Sequence, residues 1–129
     1  MKKTLIGIGL AMFAAVAAAA VLNFTWINAT QNTDGSTIPS SGPGSLTNTV
    51  IEYGPCNTGK DALQSVTGTI TSPNGTATTA ASPNLPPGSW CARARHTNTY
   101  GEVSDWTAVV TKDVAAPKPK PPSNFSFGS

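Results

Sequence analysis

The sequence predicts an all-β fold, an antiparallel sandwich, and three observations carry that prediction. Short stretches with a two-residue apolar rhythm recur along the chain from residue 21 to residue 114. They are separated by Gly-, Pro-, Asn- and Asp-rich turns, and the chain holds 12 Gly and 11 Pro. Past residue 22 no stretch carries helical periodicity.

The clearest stretch is Leu85–Trp106 (LPPGSWCARARHTNTYGEVSDW). A Pro-Pro-Gly turn leads into a strand that places Trp90, Ala92, Ala94 and His96 on one face and Cys91, Arg93 and Arg95 on the other. A Tyr-Gly turn then leads to a last strand, Trp106 to Val114. In chain order, Val21–Trp26 is the first strand, with Leu22, Phe24 and Trp26 inward. Asn32 to Ser36 is a turn, and Ser40 to Ser45 a loop. Thr49–Tyr53 is the next strand, with Ile51 and Tyr53 on one face and Val50 and Glu52 on the other. Gly54–Lys60 is a loop holding Cys56. Leu63–Thr71 reads as a strand, Pro73–Gly75 as a turn, and Thr76–Ala81 as a short strand. The expected core is Leu22, Phe24, Trp26, Ile51, Tyr53, Val66, Ile70, Leu85, Trp90, Ala92, Ala94, Trp106 and Val109.

Two flanking segments differ in composition. Residues 1–20 read as an export signal: Lys2 and Lys3, an apolar run, then small residues before a cleavage point near Ala19 or Ala20. The competing reading is a retained anchor, because Leu5–Leu22 is an unbroken apolar run near the roughly 20 residues that span a bilayer. An N-terminal apolar helix belongs to both readings, and membrane contact follows only if residues 1–22 are retained. Residues 115–129 (AAPKPKPPSNFSFGS) form a tail whose alternating Pro and Lys favour extended polyproline II. Either reading of the leader places residues 23 onward outside the cytoplasm: periplasmic, at the cell surface or extracellular. Two cysteines, an even count in an exported chain, favour one disulfide over free thiols.

Composition narrows the function classes. Charged residues make up 11% of the chain. Without Lys2 and Lys3, six basic side chains face six acidic ones, so no basic field attracts nucleic acid. His96 is the only histidine, which excludes a multi-histidine metal centre. It has Glu102 and Asp105 near in sequence but no nucleophile in a strained elbow. The acids are scattered, and Asp34 sits in a turn with no series of oxygen ligands. The expectation is a chain that is not an enzyme and carries no cofactor or metal.

The ordered set Phe24-Thr-Trp26, Asn32-Thr-Asp-Gly-Ser36, Ile51-Glu-Tyr-Gly54, Leu85-Pro-Pro-Gly-Ser-Trp90 and Tyr100-Gly-Glu-Val-Ser-Asp-Trp106 resembles a fibronectin type III domain of the kind found in bacterial secreted proteins and phage. The resemblance covers residues 21–114. It implies an Ig-like sandwich whose Cys56-bearing and Cys91-bearing strands are neighbours in one sheet. With both cysteines on the outer face by parity, a cross-strand Cys56–Cys91 disulfide follows as an expectation. The chain departs from the family in two places. The leader abuts the Trp26-bearing strand, where the family has an earlier strand, so that first strand is either missing or built from retained leader residues. Trp90 stands where the family has Tyr, so no hydroxyl is available there for a corner bond.

These readings converge on a non-catalytic binding or spacer module, exported and attached to a larger cell-envelope or phage-particle assembly. The alternative is a carbohydrate-binding accessory of an exported carbohydrate-active enzyme. Its partner is accordingly a protein assembly or a surface glycan. Candidate interaction residues are Arg93 and Arg95 on the outer sheet face, Tyr100 in the last hairpin, and Phe125 and Phe127 in the tail.

Overall fold

The structure is a computed structural model and describes residues 20–128. The leader, with its expected helix, lies outside the described residues. Six strands form two antiparallel sheets, and no helix occurs among the described residues. They are β1 (Ala20–Thr25), β2 (Leu46–Pro55), β3 (Gly68–Thr71), β4 (Thr79–Leu85), β5 (Gly88–Asn98) and β6 (Val110–Val114). One sheet is the pair β1-β4, and the other runs β3-β2-β5-β6.

Alternation explains which residues meet between the sheets. On β1 the inward residue Leu22 is buried, and Phe24 packs against the core half-buried. On β2 the parity of Thr49, Ile51 and Tyr53 buries all three. β5 adds Trp90 and Ala92, β4 adds Leu85 and β6 adds Val114. Tyr53 and Trp90 meet with ring centroids 6.5 Å apart at an interplanar angle of 55°, a tilted geometry that aromatic quadrupoles favour. The Trp90 indole N–H donates to Pro86 O at 2.9 Å. The corner at Pro86–Gly88 therefore has its side-chain bond, supplied by an indole where a hydroxyl was lacking.

Gly54 shows why its position tolerates no side chain. A Cβ there would collide with the backbone carbonyl of Ser65. This close crossing is locked by Thr67 N donating to Tyr53 O at 2.8 Å and Gln64 N donating to Pro55 O at 2.8 Å.

Four expectations need correction. Val66 is 50% exposed rather than in the core, because the chain crosses over Gly54 in a bend and strand pairing begins only at Gly68. Trp106 is half-buried on the outer face of the larger sheet, and regular pairing of the last strand begins at Val110 instead of Trp106. Val109 is half-buried and its expected core place falls to Val114. The cause lies at Ser104 and Thr107. Ser104 N donates to His96 O at 2.9 Å while Ser104 Oγ accepts from His96 N at 2.9 Å. Thr107 repeats this with Ala94, at 2.8 Å and 3.1 Å. Hydroxyls replace carbonyls in the ladder, so the two-residue rhythm is reset between 103 and 109.

The Cys56–Cys91 disulfide is present, with Cα atoms 4.9 Å apart. Its setting differs from the expectation. Cys91 does lie on the outer parity of β5, yet it is 0% exposed. The turn Asn57–Ala62 folds across it: Asn57 N donates to Ala62 O, and Thr111 Oγ1 reaches Lys60 O at 3.2 Å.

Candidate functional site

One end of the sandwich carries a cleft of about 460 Å³ between the loop after β1 and the turn after β5. Both walls are built by side chains that bond their own backbone. Asp34 Oδ1 accepts from Ser36 N at 2.9 Å and from Ser36 Oγ at 2.6 Å, and Asn32 N donates to Ser36 O. These Ser36 bonds hold the Asp34 carboxyl below the usual carboxylate range. Across the cleft, Asn98 Oδ1 accepts from Tyr100 N and Glu102 N, both at 3.0 Å. This turn needs Gly101, whose φ is +79°. Gly44 N donates to Thr99 Oγ1 at 2.6 Å, which ties the loop before β2 to the same turn.

Tyr100 projects from that turn and is 68% exposed. It lines the cleft together with Asn32, Asp34, Asn98 and Glu102. His96 forms part of the floor. Its Nε2 accepts from Ala29 N at 3.3 Å and its Nδ1 lies 2.8 Å from Thr49 Oγ1. An acceptor role at Nε2 requires the neutral ring, with Nδ1–H donating to Thr49. Burial pushes the His96 pKa below 6.5, in the same direction. His96 thus joins the loop after β1 to β2 and β5. It is a structural clamp, with no carboxylate orienting it. Among the described residues no group of three or more His, Cys, Asp or Glu is placed to hold a metal ion. The cleft offers one exposed aromatic ring, two carboxylates and amide groups on a rigid frame. Such groups are capable of stacking and hydrogen bonding.

Arg93 and Arg95 lie on β5 and do not line the cleft that holds Tyr100. Their guanidinium carbons sit 4.3 Å and 4.2 Å from the Trp106 ring centroid. Arg93 also gives Nε and Nη2 to Glu52 Oε1, at 3.1 Å and 2.8 Å. Arg93 is thereby paired within the fold, while Arg95 stacks on Trp106 with its buried Nε lacking a hydrogen-bond partner among the described residues. Phe125 and Phe127 are exposed, at 89% and 102%. Sequence reasoning missed Asn98 and the role of Trp106. The Asn-x-Tyr-Gly-Glu run signalled the first through its turn chemistry. Nothing local signalled the second.

Comparison of the chain with protein-family models, curated proteins and solved structures finds no match in any of the three.

Proposed function

We propose that the chain is an exported, non-catalytic binding and spacer module of the fibronectin type III kind. It is held in a larger cell-envelope or phage-particle assembly and presents its loop end to a partner. The observation that carries the reading is Tyr100, an exposed aromatic on a turn braced by Asn98 and Thr99 above the cleft. Rigid aromatics on braced loops provide contact area at low entropic cost. Three further features support it. The strand order β1-β4 against β3-β2-β5-β6 among the described residues is consistent with that family's two-sheet arrangement. The Trp90–Pro86 bond serves as the corner. The disulfide accords with an oxidising compartment. The carbohydrate-binding alternative calls for two exposed aromatics in one plane, and the cleft lining contains Tyr100 as its single aromatic.

The test is site-specific photocrosslinking in the exporting host. A photoreactive residue at position 100 should trap a discrete envelope or particle protein, and Asp34→Ala should reduce the yield. The same group at exposed position 69 on β3 should not trap it. Equal products from both positions would overturn the loop-end assignment.

A further inference from the structure

A second cleft, of about 400 Å³, opens between the two sheets along the side bounded by β1 and β6. Leu22, Phe24, Trp90 and Ala92 line it, and Val21 and Val110 form its rims. Val21 and Val110 are 41% and 59% exposed. Among the described residues β1 pairs with β4 alone and β6 with β5 alone. Among the described residues, two strand edges therefore flank one apolar slot, the arrangement that accepts an added strand.

We propose that this slot receives the Phe125–Phe127 segment of a second copy of the chain, linking copies head to tail. Phe125 and Phe127 stand two apart, so an extended segment presents both rings on one face with Ser126 on the other. The slot needs that pattern: rings toward the core and a backbone for the edges. The chain's own tail is held off. After Val114 come Pro117, Pro119, Pro121 and Pro122, a stiff spacer that extends about 25 Å at ~3.1 Å per residue. The slot lies back along Val110–Lys112, and reaching it would require reversing that spacer. Residues 115–128 are all exposed accordingly. Residues 20–114 carry four basic and six acidic side chains, whereas the tail carries Lys118 and Lys120 and no acid. The net charges of tail and body are therefore opposite, while the one charged side chain lining the slot itself among the described residues is Lys112.

Two rings bury roughly 300–500 Å², less than the ~800 Å² per partner of a standard interface. Each junction is correspondingly weak, and association depends on concentration. Because donor and acceptor surfaces differ, the contact is heterologous, and it closes only where two copies exchange tails reciprocally or a ring forms. The inference rests on Phe125 and Phe127 as candidate interaction residues, and is independent of what the loop end binds.

Sedimentation velocity on the full chain tests it. The average mass should rise between micromolar and millimolar concentration. Phe125→Ser/Phe127→Ser and, separately, Val110→Asp should each weaken association by at least about tenfold. All three positions are exposed, so both variants should fold. Mixing them should restore a 1:1 heterodimer and nothing larger, because one chain keeps the tail and the other keeps the slot. A wild-type chain that stays monomeric, or a mixture that restores nothing, overturns the proposal. So does a melting temperature lowered in monomeric Phe125→Ser/Phe127→Ser, which would put the tail in its own slot. A monomeric chain that still crosslinks through position 100 overturns this inference alone.

Discussion

Replacing both cysteines, Cys56→Ala with Cys91→Ala, is the most informative perturbation of the frame. The bond closes a loop of 35 residues between β2 and β5. On the chain-entropy relation, releasing a loop of that length returns about 4 kcal/mol of conformational freedom to the unfolded state. Alanine keeps the buried position apolar, so no unsatisfied hydroxyl confuses the comparison. Small domains have ~5–15 kcal/mol in total, so the double variant should remain folded only marginally. Urea unfolding at equal slope should show the loss, and the melting temperature should fall by roughly 15–30 °C. A second readout uses burial. Cys91 is 0% exposed beneath Lys60 and Thr111, so a thiolate reductant reaches the bond only when that cover opens. Reduction of the native chain should therefore be slow, and should accelerate with denaturant in step with opening. A stability loss below about 1 kcal/mol, or reduction at the rate of an exposed disulfide, would refute the reasoning.

The remaining predictions concern the ladder, the crossing and the clamp. Trp106→Ala should cost about 1–2 kcal/mol in chemical denaturation, from two cation–π contacts of ~0.5–1 kcal/mol each at a half-exposed site; an unchanged midpoint would show the stacking to be incidental. Gly54→Ala should cost about 1–3 kcal/mol, since the new methyl meets the Ser65 backbone and not a side chain that can swing away; calorimetry checks it. The folded His96 pKa is lowered from 6.5, so its contribution is full above about pH 6.5. As pH falls below that, the unfolded chain gains a proton that the folded chain resists, and stability declines through that window. His96→Gln should flatten the melting profile there while leaving the acid limb below pH ~4, where carboxylates titrate, in place.

Much of the architecture was legible because strand burial is a local, two-residue pattern. Leu22, Ile51, Tyr53, Trp90 and Ala92 announce their inward face through their neighbours, and the interior holds them. The turn at Asn32–Ser36 was equally legible, since Asn and Asp side chains bond backbone within a few residues of themselves, whereas at the Tyr100-Gly101 turn the bracing Asn98 was overlooked. So most of the strands, their faces and the turns came from the chain alone, and the Cys56–Cys91 pairing was expected through the resemblance. What required the tertiary structure is whatever depends on segments distant in sequence. Parity places Cys91 on the outer side, but only the return of Asn57–Ala62 over it makes that side dry. Parity likewise failed for Trp106, because the hydroxyls of Ser104 and Thr107 enter the ladder and turn its ring out between Arg93 and Arg95. The loop-end cleft and the open slot between β1 and β6 are gaps between elements far apart in the chain. A local pattern records which face of a strand is buried. The space left between two such strands is set by how the sheets meet.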